Sequence, residues 1–241
     1  MFMTIIEKLG LTKEMLKTEN YQITFIQETE NVLIAIVESK KFTPLLIELL
    51  NEKLHINKKE KSLQWFKDFI EIQKLSDEER VDFAKNGKYL DILINARNSN
   101  VRGVIAQQGY GLNKLVYDGC WLVRGHVANQ SYGLDILVND EHWAVREAVA
   151  EQRYGLDKLI HDVDWRVRKA VAKQGYGLNL LVNDSHEYVR VTIALQGYGL
   201  DKLLNDKTDW VVDNARTWLE DNNLTLEQWK GKYPERCVLN K

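Results

Sequence analysis

Five residue types recur in strict register every 22 positions through this chain, and no other feature constrains its fold as tightly. Tyr110, Tyr132, Tyr154, Tyr176 and Tyr198 form one column. Gln108, Gln130, Gln152, Gln174 and Gln196 form a second, and Arg102, Arg124, Arg146, Arg168 and Arg190 a third. Asp118, Asp140, Asp162, Asp184 and Asp206 form the fourth; Gly111, Gly133, Gly155, Gly177 and Gly199 the fifth. The unit reads V-R-x-x-V-A-x-Q-x-Y-G-L-D-x-L-V-x-D-x-x-W-x. A period of this length marks stacked supersecondary units, each unable to bury its apolar face alone. NGKYLDILI, from Asn86, is an earlier and degraded copy, with Gly87 aligned to Gly109 and Leu90 to Leu112. The last copy degrades too: Val212 stands where Arg is expected, and Trp210 is shifted by one place. End repeats depart from consensus because one of their faces must meet water.

Two apolar segments fill each unit. In Trp143 to Gln152, Val145, Val149 and Ala150 fall at helical spacing. Leu156, Leu159 and Ile160 repeat the i, i+3, i+4 pattern over a shorter stretch. The Tyr-Gly between them is a turn, and a glycine recurring there suits a backbone with positive φ. Asp or Asn follows at positions 113, 135, 157, 179 and 201, where an acid or amide meets the free N–H groups of the second helix. The unit is therefore a long helix followed by a short one.

The V-R-x-x-V-A…L-x-x-L-V-x-D pattern resembles the leucine-rich repeat variant and short HEAT-like repeat families over about Asn86 to Asp213, more than half of the chain. Those families form right-handed superhelical stacks of paired helices. HEAT-type repeats also carry an Asp and an Arg a fixed distance apart, and here Asp118 precedes Arg124, and Asp140 precedes Arg146, by six. The Q-x-Y-G-L turn departs from both families and bears on the subfamily, not on the helical stack. The resemblance implies an all-α fold: a right-handed α-solenoid of 22-residue two-helix HEAT-like repeats.

Three regions follow. Residues 1–85 form an N-terminal helical region, 86–213 hold five to six repeats, and 214–241 are a C-terminal helical cap and tail. Residues 21–37 are ambiguous. Tyr21, Ile23 and Phe25 alternate like a strand before the apolar run Val32 to Val37, as in a β-hairpin turning around Glu28 to Asn31. Phe25, Ile26, Val32, Leu33, Ile36 and Val37 also trace a helical stripe, and the reading favours helices throughout. Thr43-Pro44 ahead of Leu45, Leu46, Leu49 and Leu50 reads as a helix start. Ser62 to Ile72 and Ser76 to Lys85 read as two more helices, the second opened by a Ser76/Glu79 capping box. Ala215 to Asp221 ends a helix, Thr225 with Gln228 opens a last one through Trp229, and the tail from Pro234 is expected to be loose.

The chemistry of the chain is muted. There is no G-x-S-x-G, H-E-x-x-H or G-x-x-x-x-G-K-[ST] motif. Two cysteines, Cys120 and Cys237, support neither a disulfide framework nor a four-cysteine metal site. No apolar run approaches the ~20 residues of a membrane helix, and MFMTIIEKLG lacks a signal-peptide layout. A cytoplasmic protein without a membrane partner is expected. Cys120, His142, Asp164 and His186 share one repeat position and are good ligand types, yet neighbouring helices lie ~8–10 Å apart, so no metal and no cofactor are expected. The net charge is −2, and residues 86–216 hold sixteen basic and sixteen acidic side chains. That balance cancels the field a nucleic acid would seek.

The arginine ladder is therefore read as structural, with Asp118, Arg124, Asp140, Arg146, Asp162, Arg168, Asp184 and Arg190 joined within and between repeats. Trp121, Trp143 and Trp165, and the five tyrosines, are read as packing between successive repeats. Variation is concentrated at positions 122, 125, 126 and 129 and their equivalents, which read Leu-Gly-His-Asn, Ala-Glu-Ala-Glu, Arg-Lys-Ala-Lys and Tyr-Val-Thr-Leu in successive units. Arg166, Lys169 and Lys173 make a basic spot one repeat before Tyr188, Val191 and Leu195, and these six are the candidate partner-binding residues. The opposing reading is that Glu147 and Glu151 pair with Lys169 and Lys173 across the repeat. Together these features lead to a non-enzymatic scaffold that binds another protein. The alternatives are a HEAT-like nucleic-acid binder or DNA glycosylase-like enzyme, and an accessory protein of a phage or mobile element that blocks a host complex.

Overall fold

A computed structural model of the chain describes the backbone of residues 21–28, 32–39, 45–50, 53–56 and 59–60, and residues 63–238 continuously. The first of these stretches overturn the helical expectation. Tyr21–Glu28 (β1), Val32–Ser39 (β2), Leu45–Leu50 (β3), Lys53–Ile56 (β4) and Lys59–Glu60 (β5) are strands. They form one antiparallel meander in the order β1-β2-β3-β4-β5. Tyr21 pairs with Ser39 and Phe25 with Ala35, with a bulge between Phe25 and Gln27, so the hairpin alternative holds over 21–37. Leu45–Leu50, read as a helix behind Pro44, instead pairs with Val32–Val37 on one edge and Lys53–Ile56 on the other. A six-residue apolar run is too short for periodicity to separate strand from helix. Backbone pairing along both edges decides it.

From Leu63 to Lys232 every regular element is helical. The chain divides into two compact units at Leu115/Val116. In the first unit, α1 (Leu63–Lys74) and α2 (Asp77–Lys85) match the expected helices, and α2 opens with the Ser76/Glu79 capping box. The Glu79 N–H donates to Ser76 Oγ at 3.2 Å and the Ser76 N–H to Glu79 Oε2 at 2.7 Å. The short α3 (Leu90–Leu93) is the degraded copy, followed by α4 (Ser99–Gln107) and the short α5 (Leu112–Leu115). Arg80 is fully buried. Its guanidinium donates to the carbonyls of Ile72 and Leu75 and to Asp77, which satisfies it away from water.

In the second unit long and short helices alternate: α6 (Trp121–Asn129), α7 (Leu134–Leu137), α8 (Trp143–Glu151), α9 (Leu156–Leu159), α10 (Trp165–Lys173), α11 (Leu178–Leu181), α12 (Glu187–Ala194), α13 (Leu200–Leu203) and the longer α14 (Asp209–Asp221). Each long helix packs on the next in chain order. Val123 and Val127, Val145 and Val149, Val167 and Val171, and Val189 and Ile193 fill the core. The turn glycines do two jobs. Gly177 has φ +61, and a Cβ there would lie 2.0 Å from Ile160 Cδ1 of the preceding repeat, so glycine meets both a conformational and a packing demand. In every short helix from α7 to α13 this glycine is the N-cap, without a side-chain bond. Asp135, Asp157 and Asp201 thus sit inside the first turn, where their charge suits the helix dipole, rather than capping it.

The C-terminal helix α15 (Leu226–Lys232) begins at the Thr225/Gln228 capping box and buries Trp229, whose indole N–H donates to the Gly197 carbonyl at 3.2 Å. The tail is not loose as far as Val238. Pro234–Arg236 is a 3-10 turn, Cys237 is buried, and the Val238 N–H donates to Asp201 at 3.0 Å. Asp201, buried on the last short helix, needs that donor.

Candidate functional site

The arginine column is a set of links between repeats. Arg146 Nε and Nη2 donate to the two carboxylate oxygens of Asp162 at 2.6 and 2.8 Å, and Nη1 donates to the Asp140 carbonyl at 2.7 Å. The same triple bond set joins Arg124 to Asp140 and the Asp118 carbonyl, Arg168 to Asp184 and the Asp162 carbonyl, and Arg190 to Asp206 and the Asp184 carbonyl. The side-chain partner is thus the aspartate 16 residues ahead, in the next repeat, while the aspartate six residues behind supplies its backbone. Each aspartate also accepts a backbone N–H two residues on, as Asp162 does from Asp164. Hydrogen bonding to the carboxylate, which outweighs burial, raises all four guanidiniums above their ordinary pKa. Burial pushes Asp162 and Asp206 up, but the bonds from Arg146 and Arg190 and from backbone N–H groups outweigh it and hold both below 3.8. These arginines are engaged in the frame.

Aromatic rings gather at the N-terminal ends of the long helices. Trp121 stacks on His142 at 4.3 Å between centroids, and Trp165 stacks on His186 at 4.2 Å. Tyr188 stacks on Trp165 and meets Trp210 edge-on. Between Trp143 and Trp165 the Arg166 guanidinium lies over both rings, 4.4 and 4.9 Å from their centroids, and pairs with Asp164 at 3.1 Å. The rings do stack across repeats, but they line the surface and not the core: Trp121, Tyr188 and Trp210 are 42 to 44% exposed. Tyr110, Tyr132, Tyr154 and Tyr176 are exposed to a similar degree. His142 and His186, weighed from the sequence only as metal-ligand types, are stacking partners of this row. Their signal was a spacing of 21, which brings the first residue of one helix against the cap of the next.

The column Cys120, His142, Asp164 and His186 occupies the N-cap position. His142 and His186 accept the Ala144 and Tyr188 N–H groups through Nδ1, and Asp164 accepts from Arg166. Among the described residues no group of three or more His, Cys, Asp or Glu side chains is placed to hold a metal ion.

The variable positions range from buried (Ala148, Ala170, Val191) through half-buried (Leu122, Gly125, Glu147, Lys169) to exposed (Asn129, Glu151, Lys173, Tyr188, Leu195), and the outward ones change in character at each step. α6 presents Leu122, Gly125 and Asn129; α8 presents Glu147 and Glu151; α10 presents Lys169 and Lys173; α12 presents Tyr188, with Leu195 at its end. Leu195 is exposed, whereas Val191 is buried and contributes packing. Arg166, clamped between two tryptophans, belongs to the aromatic row. Among the described residues no ion pair joins Glu147 or Glu151 to Lys169 or Lys173; Lys169 instead lies 5.3 Å over the Trp165 ring. Burial, then repulsion from Glu151, raises the Glu147 carboxyl above its ordinary pKa against the pull of Lys169, Lys173 and Arg166. The chain matches no protein-family model, no curated protein and no solved structure. No helix among the described residues is long and apolar enough to cross a membrane.

Proposed function

We propose that this chain is a non-enzymatic scaffold of HEAT-like or leucine-rich-repeat-variant type, a right-handed solenoid whose partner is another protein. The partner docks across the exposed face of α6 to α12. One observation carries the reading: on a frame of repeated links, the outward residues pass from acidic Glu147 and Glu151 to basic Lys169 and Lys173 to apolar Tyr188 and Leu195. Frame and face answer to different demands, which is how repeat proteins separate stability from recognition. A protein surface with alternating charge and an apolar anchor fits such a face better than a uniformly anionic polymer.

The test is affinity capture from lysate, with and without nuclease, using the wild-type chain and K169E/K173E. A protein retained through nuclease and lost with the variant supports the proposal. Capture that vanishes with nuclease overturns it. The exposed rings of Trp121, Tyr188 and Trp210 favour a second reading, single-stranded nucleic acid stacked on the aromatic row. Steep weakening of binding with salt would select it.

A further inference from the structure

The charges on the recognition face complement themselves. Glu147 and Lys169 hold the same position in successive repeats, as do Glu151 and Lys173. The long helices run parallel: N-terminal rings meet N-terminal rings, as in Trp121 on His142, while Ser131 and Gln152 bond beyond the C-terminal ends of α6 and α8. Consider a two-fold axis in the plane of this face, parallel to the helices and midway between α8 and α10. It lays α8 of one copy along α10 of the other without shifting their heights. Glu147 then faces Lys169, and Glu151 faces Lys173, twice over. An axis perpendicular to the helices superposes like on like and brings glutamate to glutamate. Only the first arrangement is attractive.

The neighbouring helices agree. The same axis sets α6 against α12, so Leu122 faces Tyr188, Asn129 faces Leu195, and Gly125 faces the α12 backbone between them. Gly125 lies inside α6, where glycine weakens a helix. A Cβ there would meet nothing within 4 Å, so the chain's own packing gives no reason for it. Close approach of a facing helix does. Among the described residues no ion pair closes between these four charges, although Lys169 and Lys173 act on Glu147 from a distance, and Leu195 is 58% exposed. We propose that this face binds a second copy of the chain in a parallel two-fold dimer, with α8 and α10 at its centre. The proposal rests on the reading of the face as a protein-binding surface and names its occupant.

Sedimentation equilibrium of the full chain tests it. The wild type is expected to reach twice its 28.1 kDa mass as concentration rises through the micromolar range, and to dissociate with added salt. E147K/E151K makes both helices basic, and K169E/K173E makes both acidic. Each variant alone should dimerise at least about tenfold more weakly, and an equimolar mixture of the two should recover the wild-type dimer, since opposite faces then meet. G125Q should weaken dimerisation without lowering helix content by circular dichroism. A wild type that stays monomeric overturns the proposal, as do variants that dimerise alone as well as the wild type, or a mixture that fails to recover. A monomer that still captures a different protein through Lys169 and Lys173 overturns the second copy and leaves the scaffold reading standing. A monomer that captures none overturns both.

Discussion

Arg146→Ala tests the frame. The Arg146 side chain is 13% exposed and that of Asp162 7%. The substitution removes two charge-assisted bonds to the carboxylate, at 2.6 and 2.8 Å, and one to the Asp140 carbonyl. Of its hydrogen bonds Asp162 then keeps the Asp164 N–H at 2.9 Å, with the Arg168 charge still acting on a carboxylate nearly out of water. Breaking one side of a buried pair costs about 3–5 kcal/mol, while residual solvent access at the edge and water entering the vacated space reduce it. About 2–3 kcal/mol is expected, against below about 1 kcal/mol for an exposed pair. Arg216→Ala is the control, because Arg216 and Asp213 lie more than half exposed on one helix. Urea unfolding followed by tryptophan fluorescence measures both variants. Arg146→Ala paired with Asp162→Asn should cost less than the sum of the two, because the stranded charge is gone. A loss below about 1 kcal/mol for Arg146→Ala, or strict additivity, would refute the inter-repeat link as a source of stability.

The same links set the acid limit of the fold. Asp162 and Asp206 have folded values below the unfolded 3.8, so their contribution is present above that value and vanishes as pH falls through the depressed folded values. Asp162→Asn should flatten a plot of stability against pH in that window, measured by urea unfolding. Partial burial lowers the folded value of His126 below 6.5, so it should cost stability as pH falls from about 6.5 towards that value, and His126→Gln should remove that slope. Gly177→Ala and Gly87→Ala share a positive φ, but only the former overlaps a side chain, Ile160. Thermal melts should therefore show Gly177→Ala as the more damaging by about 1–3 kcal/mol.

How much of this was legible in the sequence follows from where the physics is local. Repeat boundaries, both capping boxes and the turn glycines each depend on residues a few positions apart, and the period multiplied that evidence. The partner of Arg146 was half legible: the six-residue spacing to Asp140 is visible in one unit, but the carboxylate that receives it, Asp162, lies 16 residues ahead and is reached only by stacking. The strand Leu45–Leu50 was misread because its pattern suits either state and its pairing partners, Val32–Val37 and Lys53–Ile56, lie elsewhere in the sequence. The clamping of Arg166 was invisible for the same reason. A charge that looks free in the sequence is held between Trp165, its chain neighbour, and Trp143, which meets it only once two repeats are side by side.

From Arg124 to Arg190 the link to a carboxylate points forward, from one repeat to the next, and the series ends where Val212 takes the arginine's place after Asp206. Such a series has a direction and a terminator but no fixed count. Excising residues 143–164 would remove Arg146 and Asp162 together, leave Arg124 reaching Asp140 and Arg168 reaching Asp184, and put the Asp140 carbonyl six residues behind Arg168, where that of Asp162 now stands. The joint survives the cut, while the acidic step of the face disappears with α8. Length in this chain is therefore a coordinate along which whole surfaces can be inserted, removed or reordered by recombination in units of one period, leaving the joinery between them unchanged.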